Sequence, residues 1–278
     1  MPSNASHSIG QAWGMSESVA DGPHAPPSVG MAAGRGVWVV LPTYNERENL
    51  EPIASAILSA LPEASLLVVD DGSPDGTGEL ADTIAARERR ISVLHRPLKE
   101  GLGVAYRDGF RWVLERQETR AVVQMDADFS HDPATLPRML APLMGNADLV
   151  LGTRYMPGGS TVGWPWYRKF ISRSGTIFAR TVLMLPYRDL TGGFKAWRRE
   201  LIDAIRLRET SGSGYGFQIE TTWWAHRRGA TIVQVPIVFR ERVAGSSKMS
   251  GGIVREAMLL VLRLRWGAIR EAIRGDAR

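Results

Sequence analysis

The sequence predicts an α/β domain built on a mostly parallel, doubly wound sheet with helices on both faces. Three observations predict it. Short β-branched apolar runs recur from Val37 onward, helix-length stretches separate them, and the residues just after the runs are rich in acids and glycines. Near-continuous apolar runs suit central strands covered on both faces, and strand–helix alternation gives a parallel sheet. Ligands of such sheets bind at the carboxyl ends of the strands, so the residues that follow each run belong together.

Taken in order, residues 1–35 are dominated by Ala, Gly, Pro and Ser with no apolar period, which predicts a disordered tail. The predicted strands begin at Val37, Ser65, Ile91, Ala121 and Asp148. Past Gly152 the alternation loosens into a Gly/Trp/Pro segment, a helix-like stretch to Leu185, Thr191-Gly-Gly-Phe194, and one more strand over Thr231 to Arg240. A catalytic-size domain over 36–252 is followed by an amphipathic helix over 253–278, in which Glu256, Arg263, Arg270 and Arg274 make a narrow charged stripe. Leu259, Leu262, Trp266, Ile269 and Ile273 lie among the rest. No fixed-period repeat is present.

Composition excludes several classes. The 278 residues carry 34 Lys and Arg against 29 Asp and Glu, a net charge of +5, too small an excess and too poor in aromatic–basic repeats for a nucleic-acid binder. Zero cysteines exclude a disulfide framework, a thiolate metal site and a cysteine nucleophile. No apolar run approaches the ~18 residues of a membrane span. No basic start precedes Arg35, so a secretory signal is not expected and the chain is expected in the cytoplasm.

Three strand ends carry the chemistry. After the first, Tyr44 offers a stacking surface and Glu46 an acceptor for ribose or base, although Asn45 and Glu46 also read as a helix start. After the second, Asp70-Asp71-Gly-Ser-Pro-Asp75 is partly turn chemistry, but two adjacent acids need a compensating donor or ligand, and Asp71 is the candidate acceptor for a nucleoside. After the fourth, Asp126 and Asp128 share one side of the backbone. Paired hard oxygens suit Mg²⁺ or Mn²⁺ shared with a diphosphate, whereas Asp132 before Pro133 reads as a cap. Arg154, Arg168, Arg242 and Lys248 supply complementary cations.

These motifs, together with Gly101-Leu-Gly-Val-Ala-Tyr106, Thr191-Gly-Gly-Phe-Lys195, Gly216-Phe-Gln-Ile-Glu220 and Gly245-Ser-Ser-Lys248, resemble those of the polyprenol (dolichol) phosphate mannose synthases of glycosyltransferase family 2 across about residues 37 to 252. The resemblance implies a GT-A, Rossmann-like fold. It also implies transfer of mannose from GDP-mannose to a polyprenyl phosphate with inversion, giving a lipid-linked mannose donor. By the same resemblance Pro42, Tyr44, Glu46, Val69 and Asp71 cradle guanosine; Asp126, Ala127 and Asp128 form the DXD element that holds metal and diphosphate; Arg154, Arg168, Arg242 and Lys248 neutralise donor or acceptor phosphates. Ser130 stands where some relatives carry a metal-reaching Gln, and the shorter side chain puts direct ligation in doubt, with a water as intermediary. Thr176 stands near an Asn of relatives, its role open.

A lipid phosphate is already ionised at neutral pH, so no general base is needed, which agrees with the absence of a Glu-Asp dipeptide and of Gln-x-x-Arg-Trp. The C-terminal helix and Trp164-Pro-Trp166-Tyr167 are expected either at an anionic membrane surface on its cytoplasmic side or packed on the domain or a second copy. An integral membrane partner is a further expectation. Rival readings are a UDP-glucose-dependent polyprenyl-phosphate glucosyltransferase and a non-catalytic scaffold subunit.

Overall fold

The computed structural model of the chain describes residues 31, 33–205, 210, 212, 214–241 and 251–274. The predicted tail lies outside these except at its end. There Met31 is buried and the Glu63 amide donates to the Ala33 carbonyl at 2.7 Å.

The five predicted runs are strands: β1 (Val37–Thr43), β2 (Ser65–Asp70), β3 (Ile91–His95), β4 (Ala121–Gln124) and β5 (Leu149–Thr153). Between them run α1 (Arg47–Ala60), α2 (Thr77–Arg87), α3 (Leu102–Leu114) and α4 (Leu136–Met144). There follow β6 (Ser160–Val162), α5 (Trp166–Leu183), β7 (Lys195–Arg198), α6 (Arg199–Ala204), α7 (Gly214–Arg227), β8 (Ile232–Pro236), β9 (Val238–Arg240) and α8 (Gly251–Arg274). The one strand expected over Thr231 to Arg240 is two. Pro236 ends the first, and β9 leaves the main sheet to pair with β6.

The main sheet has the order β3-β2-β1-β4-β7-β5-β8. All pairings are parallel except those of β7, which runs antiparallel between β4 and β5. Strand alternation sends Val37, Val39 and Leu41 into one core with Leu50, Ile53 and Ile57 of α1 and Met139 of α4. Trp38 and Val40 enter the other with Tyr106 and Phe110 of α3, Phe217 of α7 and Val261 of α8. Each such side chain contributes roughly 1.5–3 kcal/mol by leaving water. Helix α3 lies close to the sheet because Gly109 has no side chain. A β-carbon there would stand 2.6 Å from Val40 Cγ1 and 3.1 Å from Val69 Cγ2.

The C-terminal helix α8 packs on the domain along one side and is exposed along another. Ala257, Leu260 and Val261 are buried, while Met258, Leu259, Leu262, Trp266, Ile269 and Ile273 stay exposed along one stripe. The Trp-rich segment also divides. Trp164 is buried against Phe239, whereas Trp166, at 79% exposure, Tyr167 and Phe170 face outward from α5. Among the described residues no helix is long and apolar enough to cross a membrane.

Candidate active site

Strand β1 lies between β2, which follows it in the chain, and β4, which pairs on its other edge, so the direction of winding reverses between β1 and β4. A crevice at the carboxyl ends is the consequence. Tyr44, Glu46, Asp71, Asp126, Asp128 and Arg154 all follow strands that end there.

On the β1 side, Asn45 takes a left-handed conformation, φ 58°, which an Asn tolerates. The turn brings the Glu46 amide to Thr77 Oγ1 at 3.0 Å, tying the starts of α1 and α2 together. Glu46 occupies the N-cap position of α1 but its side chain does not cap; it accepts from Asn49 Nδ2 at 2.8 Å. Lys99 Nζ sits 3.4 Å above the Tyr44 ring. Pro42 is half-buried and Val69 fully buried between sheet and α3, leaving Val69 only its backbone to offer a ligand.

The two adjacent acids after β2 have separate duties. Asp70 is turn chemistry, accepting from the Ser73 hydroxyl at 2.6 Å and the Ser73 amide at 3.2 Å. Asp71 meets the buried Arg96 guanidinium, which also reaches Asp108 at 2.9 Å and Glu100 at 2.6 Å. Burial pushes the Asp71 carboxyl above its ordinary value, and Arg96 with the Gly101 and Glu100 amides pulls against that. Sequence reading anticipated a compensating donor for Asp71 without finding Arg96, which is 25 residues away.

The Asp126–Pro133 loop folds back on itself. Phe129 adopts φ 57°, a costly conformation for a bulky residue, and the chain turns so that the Ser130 amide donates to Asp128 Oδ1 at 3.0 Å. The Asp126 amide donates to His131 Nδ1 at 3.2 Å, which places the ring proton on Nε2. Burial holds this imidazole below its ordinary value against the pull of Asp126 and Asp128, so the ring is neutral at pH 7. Both carboxylates also act on Tyr106. Burial first, then their charge, keeps its hydroxyl well above its ordinary value and therefore protonated. Asp132 accepts from the Ala134 amide at 2.9 Å ahead of Pro133, the cap expected of it.

After β5, Arg154 is buried and clamped by Asp189, with Nε to Oδ2 at 2.7 Å and Nη2 to Oδ1 at 2.8 Å; Nη2 also reaches Thr191 Oγ1 at 2.8 Å. Arg168 is buried as well, paired with Glu241 and stacked 4.2 Å from the Trp164 ring centre. The sequence offered Arg168 as a cation for phosphate; its helix neighbours Lys169 and Arg173 line an open cavity of about 360 Å³ together with Arg154, Tyr155 and Ser160. Thr191 belongs also to an apolar crevice between α5, α7 and α8, walled by Ile171, Phe178, Ile219, Met258 and Val261. Thr176 is buried, its hydroxyl without a hydrogen-bond partner among the described residues. Arg242 and Lys248 lie outside the described residues.

The acid pair fits a divalent ion by its chemistry. Asp126 and Asp128 offer hard oxygens, and the adjoining Ser130 hydroxyl is buried with no hydrogen-bond partner among the described residues. Mg²⁺ commonly takes one or two carboxylates and completes its shell with substrate phosphates and water. Among the described residues no group of three or more His, Cys, Asp or Glu could cage an ion unaided. An ion at Asp126 and Asp128 would complete its shell with water or with a substrate's phosphate oxygens.

Acids and clamped cations gathered at the carboxyl ends of the strands are the makings of a group-transfer site, and the comparisons name the class. The model of glycosyl transferase family 2 matches residues 38–206, and the chain belongs to that family. It is 49% identical over 238 residues, 84% of this chain and 97% of the relative, to an undecaprenyl-phosphate mannosyltransferase of Micrococcus luteus. It is 48% identical over 230 residues, 82% of this chain and 86% of the relative, to a polyprenol monophosphomannose synthase of Mycolicibacterium smegmatis. Among solved structures, glucosyl-3-phosphoglycerate synthase from Mycobacterium tuberculosis, in complex with Mn²⁺, UDP and glucosyl-3-phosphoglycerate, aligns with a TM-score of 0.65 at 21% identity. That alignment covers 89% of this chain and 86% of the other. The chain has the GT-A fold and is a glycosyltransferase.

Proposed function

We propose that the protein transfers mannose from GDP-mannose to a polyprenyl phosphate with inversion at the anomeric carbon, giving a lipid-linked mannose. The observation that supports it best is the run Thr191-Gly192-Gly193. It touches Arg154 and the apolar crevice at one end and stands beside Asp126 at the other. Donor chemistry and a place for an amphiphilic acceptor phosphate thus adjoin. The names of the two bacterial relatives point the same way.

In this reading Tyr44, Glu46 and Asp71 receive the guanosine, with the Pro42 and Val69 backbone alongside. Asp126 and Asp128, with Ser130 near, hold Mg²⁺ or Mn²⁺, which when bound stabilises charge developing on the leaving diphosphate. Arg154, fixed by Asp189, and Lys169 and Arg173 on the cavity wall orient the acceptor phosphate; Arg168, Arg242 and Lys248 complete the positive field. An ionised phosphate needs no proton removed, so positioning carries the acceptor side of the reaction. Attack on the face opposite the leaving group inverts the centre. The exposed apolar stripes of α5 and α8, with Arg263, Arg270 and Arg274 also exposed, suit an anionic membrane surface on its cytoplasmic side, against which the site would meet its lipid acceptor.

The test is transfer of labelled mannose from GDP-mannose to short-chain polyprenyl phosphate, with and without Mg²⁺ or Mn²⁺, beside Asp128→Ala and a UDP-glucose control. Metal-dependent glycolipid from GDP-mannose supports the reading. Product only from UDP-glucose, or none with either donor, overturns it.

A further inference from the structure

Gln218 of α7 is buried, and its amide is oriented by a relay that begins in β7. An indole N–H can only donate. Trp197 Nε1 donates to Gln124 Oε1 at 2.6 Å, which turns Gln124 Nε2 toward Gln218 Oε1, 3.5 Å away. Gln218 Nε2 is left on the opposite side, buried, with no hydrogen-bond partner among the described residues. The Gln218 carbonyl is itself pinned by Lys195 Nζ at 2.6 Å, so the residue is held at backbone and side chain.

Nε2 and the Asp126 carboxylate border one common point. The point where a β-carbon of residue 193 would stand lies 3.5 Å from Gln218 Nε2 and 3.7 and 3.8 Å from the two Asp126 carboxylate oxygens. Gly193 leaves that point open. A group placed there has both a buried N–H donor and an anionic acceptor within 3.8 Å. A hydroxyl satisfies both, because it accepts and donates at once. A phosphate oxygen has no proton to give and reaches Asp126 through a metal ion instead of by a direct hydrogen bond.

Resting on the nucleotide-sugar reading above, we propose that Gln218 recognises the transferred sugar, its Nε2 donating to a hexose hydroxyl that in turn donates to Asp126. Gly193 is the companion position that makes room for the hydroxyl. The motif Gly216-Phe-Gln-Ile-Glu220 thereby acquires a role separate from nucleotide and phosphate binding.

The experiment is calorimetric titration of the whole protein with GDP-mannose and with GDP in the presence of Mg²⁺, for wild type, Gln218→Met and Gly193→Ala. A series of deoxymannose GDP donors is added. Loss of one hydrogen bond should weaken GDP-mannose binding about tenfold in either variant and leave GDP within about twofold. One deoxy donor should bind wild type about tenfold more weakly and lose nothing further in Gln218→Met. Equal weakening of GDP and GDP-mannose, no change in either, or additive losses across every deoxy donor would overturn the proposal, the last two being what a bound water alone would give. Should Gln218→Met fail to fold, Gly193→Ala and the deoxy series decide it. Wild type that binds neither GDP nor GDP-mannose would overturn the nucleotide-sugar reading itself, and this inference with it.

Discussion

Arg154 and Asp189 form a two-pronged ion pair, both side chains buried, with Nε–Oδ2 at 2.7 Å and Nη2–Oδ1 at 2.8 Å. Burial alone would push the Asp189 carboxyl up. The Arg154 charge, its two hydrogen bonds and the Arg154 and Thr191 amides more than offset burial and hold the group below its ordinary value. Asp189→Ala strands a buried guanidinium and should cost about 3–5 kcal/mol in urea unfolding at neutral pH, whereas Arg154→Met with Asp189→Leu should recover most of that. Because the folded carboxyl is depressed, its contribution is present above the unfolded-state value and is lost as pH falls through the folded one. The gap in stability between wild type and the double variant should therefore shrink in acid.

Asp128→Asn keeps the shape of the loop and the acceptor for the Ser130 amide while removing a charge from the acid pair. Turnover with Mg²⁺ should fall at least about 10²-fold, with unfolding midpoints within about 2 °C of wild type. Removal of divalent ions with a chelator should abolish wild-type turnover, and added Mn²⁺ should restore it. Turnover that persists after chelation would remove the metal from the mechanism.

Trp166 and Trp266 are exposed on α5 and α8. Replacing both with Glu should reduce co-sedimentation with anionic vesicles by tenfold or more, each buried Trp being worth roughly 1.5–3 kcal/mol. Circular dichroism should be unchanged, since neither side chain is in the core. A vesicle-binding isotherm identical to wild type would place the membrane contact elsewhere.

Glu88, at the end of α2, accepts from the Arg90 side chain at 2.6 and 2.9 Å and from the Arg90 amide at 3.1 Å. These hydrogen bonds, the side-chain ones foremost, lower its pKa to about 2. Carboxyl NMR titration should find Glu88 ionised throughout pH 3–7. Its stabilising effect exists above the unfolded-state value near 4.5 and disappears as pH falls through about 2. In Arg90→Ala the midpoint should move back up toward 4.5.

Gly109→Val would drive side-chain atoms into Val40 and Val69. It should destabilise by about 1–3 kcal/mol and displace α3 from the sheet, with Tyr106 moving away from Asp126. Reduced turnover should accompany the lower unfolding midpoint.

The first five strands were legible because Val, Leu and Ile fill both of their faces. Strand β7 was not, because Lys195 and Arg198 read as surface. Lys195 is 2% exposed, donating instead to the Gln218 carbonyl and the Thr221 and Thr222 hydroxyls, and Arg198 turns to the Leu143 and Ala147 carbonyls. The acids at the strand ends stood out since no packing argument required them. Their partners did not, as Arg96 and Asp189 are distant in sequence from Asp71 and Arg154. Helical phase likewise decides that Arg168 turns inward to Glu241 while Lys169 reaches the cavity, and one sequence cannot fix that phase to a single residue.

The antiparallel β7 has a bearing on synthesis. The ribosome delivers β1 to β5 well before β7, yet β4 and β5 have no bond to each other except through it. Until Arg198 has emerged, Asp126 follows a strand of the β3-β2-β1-β4 sheet while Arg154 follows β5, whose partners β7 and β8 both come later in the chain. A nascent chain halted earlier carries every acid of the pair and its clamped arginine and still has no crevice in which they meet.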